Sequence, residues 1–209
     1  MDEIVQMNLG RPKDLEKRQR ILNSAKSLFL KQGYQGSSMN HIAAEAGVSK
    51  LTVYNHFQDK ASLFTAAIED TCSSLLKTNT FQLLSAEAFL NSMHELCRIS
   101  LNMVCLPEAI KLEHLLFQLA AEQNPLAQQF YTASHGKMRQ LWQDFFLQAI
   151  QLGCVKDVPV DELQHCIMSL LLGTRHHDLL LGFRAIPSAE EQQQIVQDSI
   201  DLFLLKYYI

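Results

Sequence analysis

The sequence predicts an all-α protein: a small N-terminal three-helix unit followed by a larger helical body. Three observations carry this reading. Hydrophobic residues make up 47% of the 209 positions while proline is scarce. Strand-type alternation is absent, and apolar residues recur at three- and four-residue spacing almost throughout. The length suffices for a small domain joined to a larger one, each with its own core.

The first helix is predicted over residues 15–32, with Ile21, Leu22, Ala25, Leu28 and Phe29 on one stripe and a stop at Gly33. Next, Ser37 and Ser38 can each accept a hydrogen bond from an N–H of a first helical turn. Met39, Ile42, Ala43 and Ala46 then recur at helical spacing, which implies a helix of about two turns. Gly47 stands where a left-handed C-terminal residue is needed, Val48 can plug the angle between helices, and Ser49 supplies the next N-cap. In the helix that follows, Val53 and Phe57 lie one turn apart as the inward pair.

Two short helices joined by a tight glycine turn form the pattern of a helix-turn-helix, whose second helix enters a major groove. The side of that helix away from Val53 and Phe57 is left for DNA. Lys50 and Thr52 can reach base edges or phosphates, Tyr54 and His56 can bond backbone oxygens, and Asn55 suits either. Lys50, Thr52, Tyr54 and His56 rank first. The competing reading is an ordinary helical hairpin with a solvated polar face.

Asp59 is expected to cap a long segment with Leu63, Phe64, Ala67, Ile68, Cys72, Leu75 and Leu76, joining head to body. The body reads as helices near 86–105, 107–122, 126–152, 160–181 and 188–207. Pro107 and Pro125 suit first turns, Gly153 a stop, Pro159 with Asp161 a start, and Ser188 opens the last helix. Gly136 is expected to kink or split its helix. Domain bounds are placed at 10–60 and 61–209.

The net charge of −4 hides an asymmetry. Residues 10–60 hold nine Lys/Arg against four Asp/Glu, and residues 61–209 hold nine against sixteen. Arg11, Lys13, Lys17, Arg18 and Arg20 can touch phosphates, and each such contact steepens salt dependence. Arg11 and Lys13 read either as a minor-groove arm or as a disordered, soluble tail.

Five cysteines without a C-x-x-C pair indicate neither a disulfide framework nor a zinc site, and reduced thiols fit a cytosolic protein. No secretory leader pattern is present. The longest apolar stretch, 166–181, is interrupted by Arg175, His176, His177 and Asp178 and is too short and polar to span a bilayer, so no membrane partner is expected.

The string G-V-S-x-x-T-x-Y-x-H-F at 47–57 is specific and its surroundings agree with it. With the G-R-P-K arm, I-L-N-S-A-K-S-L-F in the first helix, G-Y, I-A-x-E-A-G-V-S, Y-N-H-F and D-K-x-x-L, residues 11–68 resemble the TetR/AcrR family of bacterial transcription regulators. F-Q-L-A-A-E-Q-N-P-L-A-Q-Q-F-Y at 117–131, with Gly136, is similar to the AefR-like branch. The resemblance implies DNA-contacting roles for Ser38, Asn40, Lys50, Thr52, Tyr54, Asn55, His56 and Lys60. Ser49 and Leu51 fall within the same interface, and the role of Leu51 stays open.

The resemblance further implies a homodimer that reads a palindromic operator in double-stranded DNA and releases it when a small apolar or amphipathic effector binds. Leu163, Ile167, Leu170, Leu171, Leu179 and Leu180 on one late helix, and Ile195, Ile200, Leu202, Phe203 and Leu204 on the last, exceed what one core face requires. They are expected to pair with their symmetry mates in a four-helix interface, or else to close the monomer core. Met93, Cys97, Leu101, Met103, Phe117, Leu141, Trp142, Phe145 and Phe146 are candidates for an apolar pocket, although residues of these types at this spacing more often pack a core.

His165 and His176, eleven residues apart, share a face with His177 and Asp178 nearby, yet surface or interface histidines explain the spacing more cheaply than a metal. No cofactor is expected. The chain has no phosphate-cradling glycine loop, no nucleophile elbow and no H-E-x-x-H, so catalysis has no candidate residues. The alternatives to a repressor are an activator of the same build and a helical ligand-binding or interaction protein whose head no longer reads DNA.

Overall fold

The computed structural model describes residues 11–76, 83 and 85–209; at 11–13, 75 and 76 it describes the backbone alone. The chain divides into two compact units, Met1–Thr71 and Cys72–Ile209. Among the described residues are ten α-helices, one short 3-10 turn and a single isolated antiparallel bridge between Val155 and Tyr208.

In the first unit, α1 (Arg11–Gly36) starts earlier than predicted and changes direction at Gly33, whose φ of 72° and ψ of 174° leave the helical region. Helices α2 (Met39–Glu45), α3 (Lys50–His56) and α4 (Lys60–Leu76) follow. The division into two units falls within α4. The stripe Ile21, Leu22, Ala25, Leu28 and Phe29 is buried, as are Met39, Ile42, Ala43, Val53, Leu63 and Phe64, and α1 packs on α2 and α3. Phe29 meets Phe64 edge to face at 4.7 Å.

The second unit holds α5 (Phe89–Val104), α6 (Pro107–Ala121), α7 (Leu126–Gln151), α8 (Val160–Leu171), α9 (Gly173–Leu180) and α10 (Ala189–Tyr207). α10 packs on α5 and α8, α7 packs on α6 and α8, and α6 also touches α9. Pro107 opens α6 in its first turn, whereas Pro125 is the N-cap of α7. Ser188 caps α10 through a reciprocal capping box with Glu191.

Two expectations about helix continuity are corrected. α7 runs unbroken through Gly136, where an added Cβ would meet only Thr132 Cγ2 at 3.9 Å, so nothing there requires a kink. The predicted helix over 160–181 is instead two, α8 and α9, parted at Leu172–Gly173. Gly173 has a φ of 48°, a conformation that a residue with a Cβ adopts only at a cost. The Leu170 carbonyl, within the last turn of α8, accepts a bond of 2.6 Å from Arg175 Nη2.

The body core gathers aromatic side chains. Trp142 stacks on Phe146 at 5.3 Å, and Phe146 on Phe203 at 5.5 Å. Trp142 Nε1 donates to Ser100 Oγ, so the buried indole keeps its N–H satisfied. Of the residues named as candidates for a pocket, Met93, Cys97, Leu101, Trp142, Phe145 and Phe146 are buried in the core, while Phe117 is 59% exposed on α6. It also divides the residues expected at a dimer interface. Leu163, Ile167, Leu171, Ile200 and Phe203 close the monomer's own core, because α8 and α10 turn these faces toward α5 and α7. Leu170, Leu179 and Ile195 are half-buried, and the open apolar side of α10 is made by Leu202 and by Leu205, which is 84% exposed.

The five cysteines are free thiols, and burial pushes those of Cys97, Cys105 and Cys154 up, keeping them protonated and unreactive at neutral pH. Among the described residues no three His, Cys, Asp or Glu side chains are placed to hold a metal ion, and His165 and His177 are exposed. Among them, too, no helix is long and apolar enough to cross a membrane.

Candidate nucleic-acid interface

The turn between α2 and α3 is fixed by backbone hydrogen bonds before any side chain matters. Gly47 has a φ of 63°, its N–H donates to the Ala44 carbonyl at 3.1 Å, and the Val48 N–H donates to that of Ala43 at 3.0 Å. That pair of bonds is the Schellman stop, which satisfies the last carbonyls of α2. Val48 is half-buried in the angle, and Ser49 immediately caps α3 by accepting from the Thr52 N–H at 3.1 Å. Ser38 caps α2 by accepting from the His41 N–H. Ser37, expected to do likewise, is buried and donates to the Gly33 carbonyl at 2.8 Å, closing the end of α1 instead.

With Val53 fully buried and Phe57 nearly so, α3 turns Lys50, Leu51, Tyr54 and Asn55 outward. Leu51 is 69% and Tyr54 42% exposed, and Lys50 Nζ lies 5.7 Å from the centroid of the Tyr54 ring. The outward face therefore carries a cation, a phenol, a carboxamide and one large apolar group, a set able to contact phosphates, base edges and thymine methyls. Asn40 is exposed on α2, as is His41, which the sequence reading passed over although it adjoins Asn40. Lys17, Arg18 and Arg20 are exposed on α1, and the Arg18 guanidinium lies 5.1 Å over the Phe57 ring. The backbone at Arg11 and Lys13 belongs to α1; their expected phosphate contacts fall on side chains outside the described residues.

Three residues expected to face DNA are tied to the protein. Thr52 is half-buried and shares a 2.8 Å hydrogen bond between its hydroxyl and that of Ser49, so both hydroxyls serve the start of α3. His56 Nε2 sits 3.2 Å from Asp14 Oδ1 with only 11% of its side chain exposed, which draws the ring toward α1. Lys60 Nζ donates to the carbonyls of Tyr34 at 2.9 Å and Ser37 at 3.2 Å and lies 4.4 Å over the Tyr34 ring. It is a clamp on the end of α1. Burial holds the Lys60 ammonium below its ordinary pKa, and burial followed by the charge of Asp59 pushes the Tyr34 phenol up. Asp59 accepts from the Ser62 N–H at 2.7 Å, and that bond first of all holds its carboxyl low. Thr52 is held by the cap of α3, and His56 and Lys60 reach across to Asp14 and to the end of α1.

Comparison with known proteins agrees with this architecture. Residues 21–67 match the model of the bacterial regulatory proteins of the tetR family, and residues 91–209 match that of the AefR-like transcriptional repressor C-terminal domain. The chain is 37% identical over 65 residues to the HTH-type transcriptional activator FasR of Mycolicibacterium smegmatis, a match covering 31% of this chain and 29% of FasR. The chain thus spans under a third of that relative's length. The HTH-type transcriptional regulator YvkB of Bacillus subtilis is 24% identical over 188 residues, 88% of this chain and 94% of YvkB. Among solved structures, the flavonoid-responsive regulator FrrA superposes with a TM-score of 0.73 over 92% of this chain and 97% of its own, at 24% identity, a likeness of fold. The chain belongs to the TetR family of bacterial regulatory proteins and is a transcriptional regulator with a helix-turn-helix head and a C-terminal domain of the AefR-like type.

Proposed function

We propose that this protein is a cytoplasmic repressor that sits as a homodimer on a palindromic operator and leaves it when a small apolar or amphipathic effector binds the body. The observation that carries the reading is the outward face of α3, where Lys50, Leu51, Tyr54 and Asn55 stand free of the core that Val53 and Phe57 anchor. Asn40 adds a contact from α2, and Lys17, Arg18 and Arg20 supply cations for phosphates. Ser38, Ser49, Thr52, His56 and Lys60 act by holding the two short helices and the end of α1 in place. Leu202 and Leu205 of α10, with half-buried Leu170, Leu179 and Ile195, supply apolar surface for a second copy. The effector reading draws support from FrrA, a regulator described as flavonoid-responsive. An effector must prefer a body conformation that withdraws the heads from groove register, because a compound binding both states equally shifts nothing.

Selection of bound duplexes from a random library tests the DNA reading, and indifference to every duplex at low salt would remove it. Sedimentation equilibrium tests the dimer, which should weigh twice the chain; a clean monomer at micromolar concentration removes it. A second reading, activation, is favoured by the match over 65 residues to FasR, which is described as an activator. Placing the selected site upstream of or across a reporter promoter separates the two outcomes.

A further inference from the structure

Leu51 is the residue of α3 to which the DNA reading gives a place but no task. It is the second residue of the helix and is 69% exposed. Tyr54 and Asn55, one turn on, are exposed too, so the three side chains form one strip on the side away from buried Val53 and Phe57. A lone exposed leucine is ordinary on a protein surface. What sets this one apart is its position, because the opening residues of a recognition helix are those that meet base edges in a major groove.

The neighbouring side chains narrow what Leu51 can do there. The Ser49 hydroxyl oxygen accepts from the Thr52 N–H at 3.1 Å and shares a 2.8 Å hydrogen bond with the Thr52 hydroxyl, so both hydroxyls serve the cap. Lys50 holds its ammonium 5.7 Å from the centroid of the Tyr54 ring and remains exposed as a cation. Leu51 contributes an isobutyl group that can neither donate nor accept.

Base edges differ in how they receive such a group. In the major groove guanine presents N7 and O6, cytosine its amino group, and adenine N7 and its amino group, all of which need a hydrogen-bond partner or water. An aliphatic side chain pressed on any of these displaces water and leaves the polar atom unpaired. Thymine alone adds a C5 methyl group, and covering it with Leu51 takes apolar surface of both partners out of water. Discrimination therefore has two sources, attraction at thymine and stranded polar groups elsewhere.

We propose that Leu51 is a specificity-determining residue that reads the C5 methyl group of one thymine in each operator half-site. The inference rests on the DNA-binding reading of α3 and adds to it the base that this position selects. 5-Methylcytosine carries the same methyl group on the same ring carbon, so at this position it should bind better than cytosine.

The test uses the full-length protein and a duplex taken from the random-library selection. Each thymine is replaced in turn by deoxyuridine, which removes the methyl group and leaves base pairing intact, and affinity is measured at fixed salt. One position in each half-site should respond, with a loss of roughly tenfold when both copies are replaced, the scale of two buried methyl groups. Leu51→Ala should bind the thymine and uracil duplexes within about twofold of each other, whereas Leu51→Met, which keeps an apolar reach, should retain most of the discrimination. Because the side chain is exposed, both variants leave the core of the head intact. A duplex in which every thymine accepts uracil without loss, or a methyl effect that survives in Leu51→Ala, would overturn the proposal and leave the other contacts of α3 standing. Selection that returns no duplex at all removes the DNA-binding reading itself, and the role of Leu51 with it.

Discussion

His56 at the end of the second short helix pairs with Asp14 on the first helix, Nε2 to Oδ1 at 3.2 Å, with the imidazole almost enclosed and the carboxylate largely exposed. A residue that reads from sequence as a DNA contact thus also ties α3 to α1 within the head. His56→Ala should lower the head's stability by about 1 kcal/mol or less, the scale of a solvent-screened pair. It should also weaken binding evenly across duplexes; a change confined to particular base positions would show that the ring reads bases.

Tyr54 and Lys50 are expected to behave differently from His56. Replacing Tyr54 by alanine should alter preference at particular base positions and cost about 1–3 kcal/mol if its hydroxyl reads an edge. Lys50→Ala, if the ammonium rests on phosphate, should weaken all duplexes alike and flatten the salt slope by about one unit. Titrating the selected duplex at several salt concentrations distinguishes the two patterns.

The turn offers a cleaner stability test. An added Cβ at Gly47 meets nothing within 4 Å, so Gly47→Ala carries only the conformational cost of a φ of 63°. That cost is about 1–2 kcal/mol. Urea denaturation followed by circular dichroism should register a lower midpoint with an unchanged slope.

Ser100 and Trp142 form the polar contact at the centre of the body, Nε1 to Oγ at 3.0 Å. Ser100→Ala strands the buried indole N–H and should destabilise the body by about 1–3 kcal/mol. Trp142 is the chain's single tryptophan, so its fluorescence follows unfolding of this unit directly.

Asp59 gives the head an acid-sensitive start to α4. Its folded pKa is depressed, so its contribution is complete above the unfolded carboxylate value and disappears as pH falls through the folded one. Head stability should therefore drop in acid. Asp59→Asn, which still caps but does not titrate, should show a smaller drop between pH 6 and pH 3 in thermal melts, whereas Asp59→Ala should lose about 0.5–2 kcal/mol at neutral pH.

Much of the fold was legible in local chemistry. The serine caps, Gly47, Pro107 and Ser188 act on their own few residues, and an apolar stripe at helical spacing must face a core whatever lies on the other side. So the helix-turn-helix, the outward placing of Lys50, Tyr54 and Asn55 on α3, and most helix limits follow from sequence alone. Choices between equivalent partners did not. Leu171 and Phe203 could as well have met a second copy as their own core, and no spacing says that His56 pairs with Asp14, that Lys60 reaches the end of α1, or that Trp142 bonds Ser100. Only the three-dimensional packing decided these, because burial is shared between segments far apart in sequence, and a spacing rule says which face turns inward but not what waits there.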